Sequence, residues 1–244
     1  MLIDLLGFTI ILPLFPSLFE YYEKSENDTL YTYVHSSVES FRNWLNVPST
    51  EAHVTTVLFG GLLGSLFSFL QFINGPILGA LSDHYGRKPI IIFSLIGSSI
   101  ACLIWANSLT FTLFIFARVV AGLSEGNISI CIAALADFKD DKVKSKGMAF
   151  IGVAYSIGFT VGPSIGAYYA MGSNDLAPAY LAFAFCIIDI IFVWFVMPET
   201  LKPEDRSPNF TRTFGEAVDL INPTKMFTFR SGTYWLYITA QTMP

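Results

Sequence analysis

Long runs without a charged residue constrain this chain more than any other feature. A bilayer core about 30 Å thick needs roughly 20 apolar residues of α-helix. Strands of a membrane barrel need only about 10 residues and alternate apolar with polar ones, a pattern that these runs lack. The sequence therefore predicts six membrane-spanning helices, at 1–19, 54–80, 90–107, 111–136, 147–170 and 179–197.

Composition excludes a water-soluble domain and leaves a lipid bilayer as the expected partner. Hydrophobic residues make up 53% of the chain and charged residues only 14%, whereas soluble domains carry about 25% charged residues. The net charge of −5 gives no reason to expect nucleic acid. The three cysteines lie in apolar runs without disulfide or zinc spacing, which indicates packing roles. We expect neither a metal nor a cofactor.

Both ends of the chain lack features of a complete membrane protein. The first span begins at Met1 with no polar leader, and a seventh apolar segment starts near Thr233 and stops at Pro244. We therefore expect the sequence to be incomplete at both ends. The predicted organisation is a bundle at 1–198, a central loop at 199–231, and the start of a seventh helix at 232–244.

Lysine and arginine placement predicts the orientation of the bundle. The loops after spans two, four and six hold eleven of the 14 basic residues. Cytoplasmic loops carry such an excess, so the N-terminus is expected in the cytoplasm, at either the plasma membrane or an intracellular membrane. The eleven are Arg87, Lys88, Lys139, Lys142, Lys144, Lys146, Lys202, Arg206, Arg212, Lys225 and Arg230.

The loop at 20–53 is then extracytoplasmic. It contains Asn27-Asp28-Thr29, an acceptor for N-glycosylation on the side where it can be used. Two further acceptor sequences, beginning at Asn127 and Asn209, fall in a membrane span and on the cytoplasmic side and are not expected to be modified. Apolar residues between 38 and 48 predict a short amphipathic helix on the membrane surface, with an irregular loop as the alternative.

The loop between spans two and three has an unusual pattern of glycines and charges at 79–89. Gly86 is expected to form a tight turn, and Gly79 to let its helix approach a neighbour closely. The charges are expected to form a relay with adjacent helix ends that breaks when the bundle moves; the alternative is an ordinary basic loop. The relay residues are Asp83, Arg87, Lys88 and, from the end of span four, Asp137.

Span five carries three glycines at intervals of four residues, namely Gly158, Gly162 and Gly166. Residues at this spacing share one helical face and permit close backbone contact. Pro163 is expected to bend the helix. Generic membrane packing would explain the glycines alone.

These motifs together resemble the major facilitator superfamily. The string at 79–88 resembles its G-x-L-x-D-x-x-G-R-K signature, and the span-five string resembles its antiporter signature. Asp4 followed by Pro13 and Pro16, and the phrase at 198–201, are similar to the drug and tetracycline proton antiporters. Segments 57–62 and 147–156 resemble an animal subgroup of that branch.

The resemblance implies an all-α integral membrane fold, here the N-terminal six-helix bundle and the start of a seventh helix. It further implies a secondary transporter that exchanges small organic solutes, either organic anions or drug-like molecules, against protons by alternating access. A C-terminal six-helix half is then the expected partner in the full-length chain. Bacterial tetracycline exporters carry an acidic residue in span three, which 90–106 lacks, so tetracycline is not the expected substrate.

Charged residues inside spans are costly and mark functional sites by default. Arg118 and Glu125 lie seven residues apart, on one helical face. Arg118 and Gly122 resemble the family's R-x-x-x-G motif, which is linked to proton coupling. An ion pair with Glu125 or another helix is the structural alternative. The substrate and proton-coupling candidates are Asp4, Arg118, Glu125 and Asp189, of which Asp189 should lie near the midplane.

Two other functions remain in view. A seven-span receptor would place the N-terminus outside, against the distribution of basic residues. A half-length membrane protein that acts as a scaffold or regulator, or that assembles as a dimer, stays open. An enzyme is not expected, because the sequence has no phosphate-binding loop, no nucleophile–base pair and no metal spacing.

Overall fold

The computed structural model describes residues 1–14, 18, 21–22, 28–45, 52–170 and 177–221, and within these ranges the regular structure is helical. Asn27 and the predicted seventh helix lie outside the described residues, as does the end of the central loop. Short 3₁₀ turns occur at Leu12–Leu14 and Pro203–Asp205. The helices are α1 (Leu2–Ile10), α2 (Thr29–Trp44), α3 (Ala52–Tyr85), α4 (Arg87–Ala106), α5 (Phe111–Ser124), α6 (Asn127–Ala136), α7 (Asp141–Ala170), α8 (Ala177–Val196) and α9 (Phe210–Ile221).

Five helical stretches are long and apolar enough to cross a membrane, and the Leu2–Leu14 segment is shorter. Between 11% and 50% of each spanning window is buried inside the bundle, so most of this apolar surface faces outward. Phe93 and Phe195, for example, are 62% and 79% exposed. Such a surface needs lipid around it, which confirms the predicted all-α membrane fold.

The helices pack in two groups that share α8. α1 packs against α7 and α8, α4 packs against α5 and α8, and α3 packs against α5. The amphipathic helix α9 docks on α3. We call the end of the bundle that carries the α3–α4 turn, Asp137 and Glu199 the basic end.

The glycine face of α7 forms a tight seam with α1. A Cβ atom added at Gly158 would lie 2.9 Å from the Cβ of Leu5, and one at Gly166 would collide with the carbonyl oxygen of Ile10. At Gly162 the added atom would collide with the hydroxyl of Thr9, which donates to the carbonyl of Gly158 at 2.9 Å. Pro163 lies inside this continuous helix.

At the other end of the bundle, α2 is anchored by a single carboxylate. Asp28 caps α2, accepting from the backbone N–H of Leu30 at 3.1 Å. Its carboxylate also accepts from the backbone N–H and the hydroxyl of Thr112, each at 2.9 Å, at the start of α5. The predicted amphipathic segment is helical as far as Trp44, and its residues after 45 lie outside the described ranges. The side chain of Asp28 ties the N-terminus of α2 to the bundle.

In the described residues, Gly79 has no close neighbour and the fourth span is interrupted. Within the described residues, nothing lies within 4 Å of a Cβ atom added at Gly79, so this glycine faces open space instead of a close neighbour. The fourth span is interrupted, because Glu125 has an extended backbone (φ −77°, ψ 111°) and Gly126 separates α5 from α6. Glu125 still follows Arg118 in helical register, because it caps α5 and its N–H bonds the carbonyl of Ala121.

Candidate functional site

Glu125 lines three cavities that lie among α1, α3, the α5–α6 break and α7. Together they form a polar site. Their volumes are about 570, 170 and 40 Å³. Asp4 lines the two smaller ones, and Gln71 and Tyr155 line the two larger ones. We call these three spaces the central cavity.

Asp4 is held in the wall of the central cavity by a neutral partner. It lies in the first turn of α1 and is 7% exposed. Its Oδ2 accepts a hydrogen bond from the side-chain amide of Asn127 at 3.2 Å. Asn127 reaches this position because it is the first residue of α6, directly after the helix break.

Glu125 owes its position to the same break. Its backbone N–H still bonds the carbonyl of Ala121 at 2.9 Å, but the extended backbone then ends α5. Gly126 is buried against the side chain of Leu78, where a Cβ atom would collide. The carboxylate of Glu125 accepts from the hydroxyl of Ser98 at 3.3 Å.

Arg118 lies deeper, in the wall of the 40 Å³ cavity. It is 6% exposed, and its guanidinium carbon lies 5.4 Å from the ring centre of Trp105 and 5.5 Å from that of Phe114. Stacking on aromatic faces is favourable for a guanidinium, and more so when it is desolvated. Asp4 and Glu125 line the same small cavity, so the structure brings three of the four predicted charges together.

Asp189 departs from this arrangement. It is 2% exposed on α8, and its Oδ2 lies 3.6 Å from the amino nitrogen of Met1. It lines none of the three spaces of the central cavity. The structure therefore does not bring Asp189 into the same space as the other three candidates, and its contact is with the start of α1.

Several polar wall residues were missed by considering charged residues alone. Uncharged polar side chains inside otherwise apolar spans would have indicated them, since such groups seek partners within the protein in a bilayer. Asn127 was noted only as an acceptor sequence. These residues are Ser68, Gln71, Ser98, Asn127 and Tyr155.

At the basic end, Arg87 is the centre of a charge cluster. Its guanidinium lies 2.6 Å from Asp83 and 3.1 Å from Asp137, and it donates to the hydroxyl of Ser82 at 2.6 Å. Arg87 is 6% exposed. The preceding Gly86 has φ 111°, a conformation that L side chains rarely adopt.

Glu199 completes this cluster and was not among the predicted relay residues. One of its oxygens accepts from the backbone N–H of Arg87 at 2.9 Å and the other from that of Lys88 at 3.2 Å. It thereby caps the N-terminus of α4, where a negative charge is favourable. A Cβ atom at Gly86 would collide with this carboxylate. The ammonium of Lys88 points elsewhere, to the carbonyl of Trp194 at 2.8 Å.

A second cavity of about 730 Å³ lies beside this cluster. Asp83, Arg87, Asp137 and Lys139 line it together with part of the segment after α8. That segment is tied down by Ser207, whose N–H donates to the carbonyl of Asp83 at 3.0 Å.

Comparison with known proteins identifies the family of this chain. The model of the Major Facilitator Superfamily matches residues 1–242. The chain belongs to the major facilitator superfamily. It is 43% identical to "Major facilitator superfamily domain-containing protein 10" of Bos taurus over 229 residues, which cover 94% of this chain and 49% of the relative. It is 32% identical to the tetracycline resistance protein, class H, of Pasteurella multocida over 176 residues, 72% of this chain and 43% of that protein.

A solved structure gives the same family. The crystal structure of the human organic anion transporter MFSD10 (TETRAN) is 40% identical, with a TM-score of 0.85 over 92% of this chain and 51% of that one. The resemblance predicted from the motifs, to the tetracycline-type branch and its animal subgroup, is therefore confirmed. The chain spans about half the length of the curated relatives that it matches.

Proposed function

We propose that this chain supplies the N-terminal half of a secondary transporter that exchanges small organic solutes, organic anions or drug-like molecules, against protons. The observation that carries the proposal is the convergence of Asp4, Glu125 and Arg118 on one central cavity. The name of the human relative, an organic anion transporter, supports an anionic substrate.

The chemistry of these groups suits the two roles. A buried carboxylate with a neutral partner can bind and release a proton without breaking an ion pair. Asp4 and Glu125 have such partners in Asn127 and Ser98. Arg118 supplies a permanent positive charge that attracts an anion into a low-dielectric space.

Alternating access then follows from the two sites acting together. A midplane cavity lies between two six-helix halves that rock about it. The cluster around Arg87 holds the basic end in one arrangement and has to rearrange when the halves move. The distribution of basic residues supports a cytoplasmic position for this end and for the N-terminus.

The proposal is tested with a chimera in which residues 1–244 replace the matching part of the bovine relative. Reconstituted into liposomes under an imposed pH gradient, the chimera should accumulate a fluorescent organic anion. Asp4→Asn and Glu125→Gln should abolish gradient-driven uptake while counterflow in the absence of a gradient persists. Arg118→Ala should abolish both.

Asp141→Asn is the matched control, because this acid lies at the start of α7, outside the central cavity. It should behave like the parent chimera. If Asp4→Asn, Glu125→Gln and Arg118→Ala all left gradient-driven uptake unchanged, the coupling role would be wrong. If the folded chimera moved no solute, transport would not be the function of this half.

A further inference from the structure

Two of the three cysteines lie beside Arg118 at the foot of the central cavity. Cys102 on α4 and Cys186 on α8 both line the 40 Å³ space that contains Arg118. Cys131, on α6, does not line it. The chain therefore holds a pair of thiols in a polar cavity and a third thiol elsewhere.

The two thiols are neighbours across a close helix contact. α4 and α8 pack against each other, and Cys102 and Cys186 face each other across one space of about 40 Å³. A disulfide needs Cβ atoms within about 3.5–4.5 Å. Both cysteines are free in this structure.

The surroundings of the pair favour reaction at sulfur. The thiolate is the nucleophilic form of cysteine, and a nearby cation provides the electrostatic setting in which it can form. Arg118 is that cation. A space of about 40 Å³ is large enough for a small molecule such as hydrogen peroxide, since one water needs about 10–15 Å³ of such a volume.

We propose that Cys102 and Cys186 form a dithiol site that reacts with small neutral hydroperoxides and closes to a disulfide between α4 and α8. The thiolate of Cys102, which is half-buried, attacks a peroxide oxygen; the O–O bond breaks and hydroxide leaves, giving a sulfenic acid and, with one proton, water. The thiol of Cys186 then attacks this sulfur, forms the S–S bond and releases a second water. Two thiols and one hydrogen peroxide thus give one disulfide and two waters.

This inference rests on the position of the thiols and is independent of the proposed transport. The disulfide would join α4 to α8 below Arg118 and would narrow the foot of the central cavity. Chemical mapping reports the bond directly, so the result does not require a functioning transporter.

The test uses the chain reconstituted in liposomes and treated with hydrogen peroxide, then unfolded and alkylated. We expect a mass loss of two hydrogens, a cross-linked peptide that joins Cys102 to Cys186, and alkylation of Cys131 alone. Dithiothreitol should restore alkylation at all three cysteines. Alkylation of Cys102 and Cys186 after oxidation, or reaction confined to Cys131, would overturn the proposal.

Two further measurements distinguish a paired site from two separate thiols. Cys186→Ser should stop the reaction at a sulfenic acid on Cys102, trapped by dimedone, whereas Cys131→Ser should still form the disulfide. Phenylarsine oxide should bridge the native pair at one arsenic per chain, with loss of water. Independent labelling of each thiol by the arsenical would contradict the paired site.

Discussion

The basic end and the central cavity use charged residues in opposite ways. At the basic end, Arg87 contacts Asp83 and Asp137 directly, and their charges compensate each other. In the central cavity, Asp4 and Glu125 accept from neutral groups. A compensated cluster holds a geometry, while a carboxylate with neutral partners can change its charge without losing an ion pair.

This difference separates residues that stabilise the bundle from residues that can change their charge within it. Removing one partner of a buried ion pair is strongly destabilising, since a charge is left uncompensated. When a carboxylate accepts a hydrogen bond from a neutral group, replacing it with an amide of the same shape keeps an acceptor for that group. No buried donor is then left without a hydrogen bond. The predictions below test this separation, beginning with the largest effect on stability.

Arg87→Ala should give the largest loss. It leaves Asp137, whose side chain is 16% exposed, without its cation, at a cost of about 3 kcal/mol. Tryptophan fluorescence during heating in detergent should show a fall in the unfolding midpoint of roughly 5–10 °C. Arg87→Lys should recover part of it, because the charge returns without the planar fork. Equal midpoints for Arg87→Ala and the wild type would show that the cluster contributes nothing.

Gly166→Ala tests whether the tight packing of α7 against α1 contributes as much to stability as the charge cluster around Arg87. The added methyl would collide with the carbonyl of Ile10, and overpacking of this kind costs about 1–3 kcal/mol. Gly152→Ala is the control on the same helix, because nothing lies within 4 Å of its Cβ position in the described residues. The midpoint should fall for Gly166→Ala and stay level or rise for Gly152→Ala. A similar response of both variants would exclude the close contact.

The sequence was sufficient for what depends on periodicity and composition. Length and lack of charge predicted five of the six spans, because a bilayer imposes both properties, with bounds that differ from the helices by up to six residues. The first span, predicted at 1–19, lies partly outside the described residues. The i, i+4 spacing of Gly158, Gly162 and Gly166 predicted one packed face, which α1 covers. Spacing alone does not show which surface of a helix has a neighbour. Gly79 is also a glycine, but a Cβ atom added there would contact nothing within the described residues.

The candidate site was predictable in its charges but not in its geometry. Asp4, Arg118 and Glu125 were identified because a charge inside a membrane span is costly and marks a functional site. The break at Glu125 was not foreseen, although the next two residues, Gly126 and Asn127, are weak helix formers. That break determines the partners of both carboxylates. The exclusion of Asp189 from the cavity depends on how α8 is rotated, which a uniformly apolar helix does not reveal.

Asp28 extends the comparison to a carboxylate that lies outside the membrane spans. Burial disfavours its charged form, but hydrogen bonds from Thr112 and from the start of α2 outweigh this, so its pKa lies below the ordinary 3.8. The charged form therefore stabilises the fold above that value, and this stabilisation is lost as the pH falls through the lowered pKa. Asp28→Ala should cost about 1 kcal/mol near pH 7. The difference from the wild type should shrink below about pH 4, and a pH-independent difference would contradict the capping role.

The smallest effect on stability should come from the cavity acid itself, and two matched neutralisations measure it. Glu125→Gln keeps a hydrogen-bond acceptor for Ser98 and should change stability by less than about 1 kcal/mol. Asp137→Asn keeps the same shape at the basic end but removes a charge that faces Arg87, so its unfolding midpoint should fall further. If Glu125→Gln destabilised the chain as much as Asp137→Asn, Glu125 would be compensated by a cation in the folded state. Its carboxylate would then be part of the scaffold, because a proton could bind there only by breaking that pair.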